Sequence, residues 1–346
     1  MGLVDGRQVV GLDIAKNVFQ LHTVDMSSGE IINMQLKRAK MLEHFANRQP
    51  CLIGIEACGG AHHWARELTA QGHRVRLIHA KAVRPFVTGN KTDATDARAI
   101  WLAIQQPGTK FVGMKTIQQQ ATLVLHRQRE LLMRMKVMQI NALRGLLYEF
   151  GATFARGKNA LFGEIEATLE SLANDIPQYV ADSLREQAQR IKQLATDIEA
   201  IELRLSQRLR TDTDMKRVAA IPGVGLLTAT AAIATMGDAA AFKSAREFCA
   251  WLGLVPKQRG TGGRVNLLGI SKRGDTYLRT LLIHGARAVL HHAKEPGPWL
   301  EQIKVRRPAN VVIVAQAAKM ARTIWAVTAR QQDYQRSYIS NGPQAA

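Results

Sequence analysis

Through the first hundred positions, apolar residues either alternate with polar ones or bunch into short runs. The runs are Val9-Val10-Gly11-Leu12-Asp13-Ile14, Val18 to Val24, Leu52-Ile53-Gly54-Ile55-Glu56 and Val75-Arg76-Leu77-Ile78. A period of two, or a short apolar run bounded by turn residues, marks a strand. Between the last two runs, a helical stretch from about His62 to Gln71 stops at Gly72, a residue that commonly ends helices. Strands interleaved with helices predict an α/β unit over residues 1–112, a mixed sheet flanked by helices.

Past Lys115 the pattern changes. No proline or glycine interrupts the chain before Gly145, and Leu125, Leu132, Met135, Met138 and Leu146 support one long helix. A second helix carries Leu184, Ile191, Ile198 and Leu205 at seven-residue spacing, with Leu194 and Ile201 in the alternate seam positions. This predicts a coiled-coil segment over 113–212. Its seam could pair with the other long helix of the same chain or with a second copy. A third, mainly helical unit is predicted over 213–330. It opens at Ile221-Pro222-Gly223-Val224-Gly225, continues through an alanine-rich helix to Met236, and includes a helix across Phe242 to Leu252. Residues 331–346 read as a flexible tail.

Charge changes this picture from architecture toward partners. Lys and Arg number 47 against 28 Asp and Glu, a formal net charge of +19. Such a field attracts polyanions, nucleic acid above all. It is unevenly spread: Leu161 to Arg210 holds 9 acidic and 6 basic residues, whereas Trp251 to Arg330 holds 14 basic and 3 acidic. The last unit is therefore expected to face phosphates and the coiled-coil segment to face protein. Cys51, Cys58 and Cys249 show neither zinc-ligand nor disulfide spacing. With no uninterrupted apolar run of about 18 residues and no signal-like start, the expected location is the cytoplasm, without a membrane.

Carboxylates supply the candidate chemistry. Asp13 sits in an apolar strand, where an ionised group is costly unless a cation or hydrogen bonds compensate. Glu56 ends a second apolar strand, and Asp93 and Asp96 stand three residues apart, on one face if helical. Asp93 could also simply cap the following helix. Together the four could converge at one sheet edge and hold a divalent cation, Mg²⁺ or Mn²⁺, whose hard character suits carboxylate oxygens. The order of Asp in the first strand, Glu in a later one and Asp in a following helix is that of ribonuclease-H-like nucleases.

Further motifs carry a more specific resemblance. Gly11-Leu12-Asp13, Lys91-Thr92-Asp93-Ala94-Thr95-Asp96-Ala97, Ile221 to Gly225, Gly253-Leu254-Val255-Pro256, Gly260-Thr261-Gly262-Gly263 and Ile270-Ser271-Lys272-Arg273-Gly274-Asp275 follow one another along nearly the whole chain. In this order they resemble the IS110-type transposases, and most of all the IS1111 subgroup. The resemblance implies a ribonuclease-H-like (RuvC-like) domain whose metal-binding tetrad is Asp13, Glu56, Asp93 and Asp96. It also implies a coiled-coil insertion and a C-terminal domain bearing a nucleophilic hydroxyl. That hydroxyl falls on Thr261, where the family generally has serine; threonine keeps the oxygen and adds a methyl that restricts χ1. The implied reaction is DNA cleavage and rejoining through a covalent protein–DNA ester, acting on donor and target DNA with a structured guide RNA, by a homodimer that becomes a tetramer on synapsis. Hydrolysis by a RuvC-like junction-resolving endonuclease, and nucleic-acid binding without catalysis, are the alternatives.

Other residues are assigned to nucleic-acid contact: Lys91, Arg98, Gly223, Gly225, Lys257, Arg259, Gly262, Gly263, Arg264, Ser271, Lys272, Arg273 and Arg279. Thr261 among its glycines could itself only hydrogen-bond a phosphate, and Ser271 is the nearest competing hydroxyl, better suited to phosphate contact or helix capping. The glycine-rich loop lacks a following GK[ST], so a nucleotide-binding P-loop is a poor fit. Ile221 to Gly225 resembles the turn of a helix-hairpin-helix, with a plain helix start at Pro222 as the alternative. Neither His62-His63 nor His291-His292 is given a catalytic role, because adjacent helical residues point about 100° apart.

Overall fold

The computed structural model describes residues 3–4, 7–25, 27–90, 92–155 and 158–336. It divides into two compact units, Met1–Thr116 and Ile117–Ala346. Lys91 and the end of the expected tail, from 337 on, lie outside the described residues.

The first unit contains, in chain order, β1 (Leu3–Val4), β2 (Arg7–Asp13), β3 (Val18–Val24), β4 (Ile31–Lys37), α1 (Met41–Ala46), β5 (Leu52–Glu56), α2 (Ala61–Ala70), β6 (Arg74–Ile78), α3 (Ala80–Val83), α4 (Asp93–Ile104) and β7 (Phe111–Val112). The strands form a mixed sheet of order β4-β3-β2-β5-β6-β7, with β1 paired to β2. Strands β2, β5 and β6 run parallel, while β3, β4 and β7 pair antiparallel with their neighbours. The mixed sheet expected from the alternating pattern is present. The sequence reading missed β4, because only Leu36 of that strand is buried and Ile31 is 60% exposed. A half-solvated edge strand leaves little apolar alternation to read.

The pleat sorts side chains onto two layers. Val10, Leu12, Phe19, Leu21, Ile53 and Ile55 pack with Met41, Phe45, Trp64 and Leu68 of α1 and α2. Val9, Leu52 and Ile78 pack with Ala99, Ile100, Trp101 and Ile104 of α4 on the other side.

The second unit contains α5 (Ile117–Tyr148), α6 (Lys158–Ser171), α7 (Gln178–Thr211), α8 (Thr213–Ala219), α9 (Leu226–Met236), α10 (Ala245–Trp251), β8 (Pro256–Thr261), β9 (Arg264–Ile270), α11 (Thr276–His292), α12 (Pro298–Arg306) and α13 (Ala309–Arg330). Helices α5 and α7 lie side by side and antiparallel: Arg129 pairs with Glu202 at 2.6 Å, and Gln187 donates to the Gln139 carbonyl at 3.2 Å. The heptad positions Leu184, Ile191, Ile198 and Leu205 are all buried within this single chain. Of the two partners the spacing allowed, the structure supplies the internal one.

Helices α8 to α11 and α13 enclose the largest core, around Phe248, Leu278, Leu282, Met320 and Ile324. Helix α13 is long and apolar enough to cross a membrane by length and composition, yet Ala317, Met320, Ala321 and Ile324 are buried in this core and Lys319 and Arg322 interrupt its sequence. It reads as a core helix. Where the sequence suggested an irregular glycine-rich loop, β8 and β9 form a two-stranded antiparallel ribbon.

Candidate active site

Two glycines decide where the carboxylates stand. Gly11 of β2 and Gly54 of β5 are direct partners across the parallel pair. A Cβ on Gly11 would collide with the carbonyl oxygen of Ala97, and one on Gly54 would meet Ile100 Cγ2 and Ile104 Cδ1 at 3.0 Å. The missing side chains leave a trough in which α4 lies directly on the backbone. The Trp101 indole N–H donates to the Val9 carbonyl at 3.1 Å, so successive turns of α4 meet successively earlier residues of β2. Helix and strand are therefore antiparallel, and the first turn of α4 sits at the end of the sheet where β2 and β5 finish.

Asp13 and Glu56 finish those strands. Leu12 and Ile55 are paired, so the two carboxylates follow at the same level, and the period of two turns both toward the α4 side. Asp93 and Asp96 occupy the first turn of α4. The helix cap is Thr92, not Asp93: Thr92 Oγ1 accepts from the Thr95 amide at 3.2 Å, and Thr95 Oγ1 accepts from the Thr92 amide at 2.9 Å. Asp93 is thus the first helical residue and stays exposed, while Asp13, Glu56 and Asp96 are half-buried. The negative potential of the edge is felt by the Cys58 thiol, raised first by burial and then by Glu56 and Asp13.

Among the described residues, no three His, Cys, Asp or Glu side chains come close enough to hold a metal ion. The four carboxylates share one edge of the sheet without three of them meeting at one point. The donor set still fits a hard divalent cation, because Mg²⁺ is usually bound by one or two carboxylates together with water and substrate phosphate.

Thr261 lies in the other unit, at the tip of the ribbon. Gly262 and Gly263 have φ of 56° and 80°, which makes the two-residue turn of a tight hairpin. Thr261 and Arg264 are direct cross-strand partners, as are Arg259 and Asn266 two residues further down. Opposite residues share a face, so this face carries Arg259, Thr261, Arg264 and Asn266. The other face carries Val265 and Leu267, 61% and 66% exposed. Lys257, Arg259, Gly262, Gly263 and Arg264 are all exposed, as are Lys272 and Arg273.

The stems of the ribbon explain the remaining motif residues. The Ser271 amide donates to the Val255 carbonyl at 2.8 Å and the Lys272 amide to the Gly253 carbonyl at 3.1 Å. Arg279, expected at nucleic acid, is 7% exposed; its Nη1 donates to the carbonyls of Leu252 and Arg273 at 2.9 and 2.8 Å, and its Nη2 to Thr276 Oγ1 at 3.1 Å. Nη1 braces both stems, and the burial of the side chain argues against the phosphate contact expected of it. The cap of α11 is Asp275, whose carboxylate accepts from the Leu278 amide at 2.7 Å. Ser271 caps no helix; its Oγ is enclosed without a hydrogen-bond partner. Gly223 faces inward, where a Cβ would meet Val289 Cγ2 at 2.7 Å and the Gly285 carbonyl at 2.8 Å, so its close approach to α11 accounts for the residue type. Gly225 is exposed with open space around it, and Arg98 is exposed on α4.

One polar cluster gave no sequence signal. His126 of α5 is 2% exposed, with its two ring nitrogens 3.0 Å from Tyr277 Oη and Thr230 Oγ1. Only the packing of α5 on α9 and α11 brings these distant residues together.

Known proteins similar to this chain are transposases. Residues 215–299 match the family described as "Transposase IS116/IS110/IS902 family", and residues 10–151 match a transposase family of the DEDD IS110 type. A probable family 20 transposase of Pseudomonas aeruginosa is 44% identical over 330 residues, covering 94% of this chain and 98% of that protein. The transposase for insertion sequence element IS1111A of Coxiella burnetii is 39% identical, with 94% and 91% covered. The transposase for insertion sequence element IS1328 of Yersinia enterocolitica is 36% identical, with 92% and 96% covered.

Proposed function

The chain belongs to the IS116/IS110/IS902 transposase family, and we propose that it cuts and rejoins DNA by metal-assisted phosphoryl transfer through a covalent protein–DNA ester. The observation that carries this reading is the shared edge, where Asp13 and Glu56 end neighbouring parallel strands beside the first turn of the helix that bears Asp93 and Asp96. A ribonuclease-H-like assignment of the first unit is supported by its mixed strand order, β4-β3-β2-β5-β6-β7.

Asp13, Glu56, Asp93 and Asp96 would hold Mg²⁺ or Mn²⁺. When bound, such ions neutralise the scissile phosphate and stabilise the attacking and leaving oxygens. Thr261 supplies the nucleophile: a bond forms between its Oγ and phosphorus, the phosphodiester P–O bond breaks, the Thr261 proton is lost, and the departing DNA oxygen takes up a proton. An incoming DNA hydroxyl then attacks the same phosphorus, restores the Thr261 hydroxyl and joins the new strand. Ester energy is conserved, so no ATP is required. The exposed face with Arg259, Thr261 and Arg264 suits a phosphate.

Sequence choice is assigned to a structured guide RNA that pairs with donor and target DNA. The charge of +19 suits such a load, and five Trp and five Tyr offer few platforms for stacking single strands. Two duplexes held together require at least a dimer, assembling to a tetramer on synapsis.

Asp13→Asn, Glu56→Gln, Asp93→Asn and Asp96→Asn should each abolish magnesium-dependent strand cleavage while keeping the fold and nucleic-acid binding. Near-normal cleavage by Asp13→Asn would overturn the metal-site reading.

A further inference from the structure

A groove of about 760 Å³ opens at the end of the first unit's sheet where β2 and β5 finish, on the α1–α2 side, while Asp13 and Glu56 turn toward α4 at the same end. It lies where β3 begins, β4 ends and α2 starts, and Val18, Lys37, Arg38, Leu42, His63 and Trp64 help to line it. Its size is within the range of small-ligand sites. Val18 and Leu42 are 42% and 36% exposed and form an apolar floor.

Arg38 is held ready beside this floor. Its guanidinium lies over the Trp64 ring, 5.0 Å from the centroid, and Nη1 reaches the Lys16 carbonyl at 3.5 Å. The Arg38 amide donates to the Asn17 carbonyl at 2.8 Å, which ties it to the turn that follows Asp13. Trp64 beneath it is 5% exposed while Arg38 is exposed, so the guanidinium and not the ring meets solvent. Of the nearby acidic groups, Glu43 is paired with Lys40 at 2.8 Å, and Glu67 lies 3.7 Å from His63 Nδ1, beyond hydrogen-bond distance. Among the described residues, neither Lys37 nor Arg38 forms an ion pair. A planar cation over an aromatic ring, an apolar floor and unpaired positive charge together match an unstacked base and its phosphate.

We propose that this groove takes one unstacked base of the DNA strand being cut, stacked on the outer face of Arg38 above Val18 and Leu42, with Lys37 meeting its phosphate. The proposal rests on the reading of the Asp13–Glu56 edge as the cutting site, because that edge fixes which strand passes the groove. The site accepts any base by its flat face, and so positions the strand without reading sequence.

The test is a double-mutant cycle between protein and DNA, read on binding so that cleavage does not enter. Full-length Asp13→Asn protein, with any RNA that co-purifies, is titrated with a fluorescent duplex carrying the element end, intact or with a single abasic site scanned across the cut position. Arg38→Gln should weaken binding of intact DNA about tenfold, as expected for loss of one stacked base. At one abasic position the same substitution should change binding less than about twofold, because the base it would stack on is gone. Arg38→Lys, which keeps the charge and loses the plane, should resemble Arg38→Gln. Equal loss on intact and abasic DNA at every position would overturn the proposal and leave a plain charge contact. A cycle that appears only with abasic sites in the RNA would also overturn it, by making RNA the occupant. Residual cleavage by Asp13→Asn would count against the metal site alone.

Discussion

Gly11 of β2 and Ala97 of α4 touch backbone to backbone: a Cβ on the glycine would overlap the alanine carbonyl oxygen. This contact sets the depth at which α4 rests on the sheet, and so where Asp93 and Asp96 stand relative to Asp13 and Glu56. Gly11→Ala should cost about 1–3 kcal/mol of stability by overpacking and should abolish cleavage by lifting the helix. Gly54→Ala should cost less, since its nearest contacts, Ile100 Cγ2 and Ile104 Cδ1 at 3.0 Å, are side-chain atoms and not the backbone oxygen that Gly11 meets at shorter range. Urea unfolding with a strand-cleavage assay on the same preparations checks both.

Thr261 is expected to be the attachment point of DNA. Thr261→Ala should keep binding and lose both the covalent adduct and strand exchange; Thr261→Ser should keep both, because it retains the oxygen. Labelled DNA trapped on denatured protein, followed by peptide mass analysis, locates the site. An adduct on Ser271, or full recombination by Thr261→Ala, would move the nucleophile elsewhere.

Because the heptad seam of α7 is covered by the chain itself, charged substitutions there should act on folding. Ile191→Lys with Ile198→Lys removes two apolar side chains that are 0% and 4% exposed, each worth on the order of 2 kcal/mol. The expected outcome is loss of helical signal and a lower melting temperature. A folded protein changed only in mass by light scattering would show instead that the seam joins separate chains.

Arg279 should behave as a brace. Arg279→Leu strips hydrogen bonds from the carbonyls of Leu252 and Arg273, and losing a buried charged donor of this kind costs about 2–3 kcal/mol. Amide exchange should quicken across Val255 and Ser271 to Lys272, whose bonds join the stems. Unchanged exchange there, with weakened DNA binding, would make Arg279 a phosphate contact.

His126 gives the second unit a pH dependence. Thr230 donates its hydroxyl hydrogen to the Leu226 carbonyl at 2.7 Å, so it accepts from His126 Nε2–H, leaving Nδ1 to accept from the Tyr277 hydroxyl. Burial, aided by Arg129, lowers the pKa from 6.5 to about 4. The unfolded chain therefore binds the extra proton first. The stability due to neutral His126 is present above about pH 6.5 and is lost as pH falls toward 4. From pH 7 to pH 5 this group should cost about 2 kcal/mol. Urea midpoints should show that slope in the wild type and a flatter one in His126→Asn; parallel slopes would refute it.

Much of the first unit was legible because its signals are local. Val9 to Ile14 and Leu52 to Glu56 read as strands from their apolar runs, and Asp13 and Glu56 were conspicuous as charges at the ends of such runs. The ribbon is not legible although Gly262-Gly263 is a hairpin signal, because its first strand carries only Pro, Lys, Gln, Arg, Gly and Thr and so shows no apolar alternation to pair with that of Val265 and Leu267. Arg279 shows a related limit of local reading: a basic residue in a basic segment looks like a phosphate contact, whereas its burial and its bonds to the Leu252 and Arg273 carbonyls fit a brace.

By itself the sequence determined the alternation of strands and helices, the long helices, the basic charge and its concentration near the C-terminus, and which residues carry oxygen donors or hydroxyls. These follow from side-chain period, turn chemistry and composition, all local along the chain. Tertiary structure alone decided that α7 pairs with α5, that α4 runs against β2 and delivers Asp93 and Asp96 to the edge ended by Asp13 and Glu56, and that Arg264 faces Thr261. Those relationships depend on strand order, helix direction and the close approach allowed at Gly11 and Gly54. Each is a contact between residues far apart in sequence, and such contacts form only when packing selects one arrangement from the many that local preferences permit.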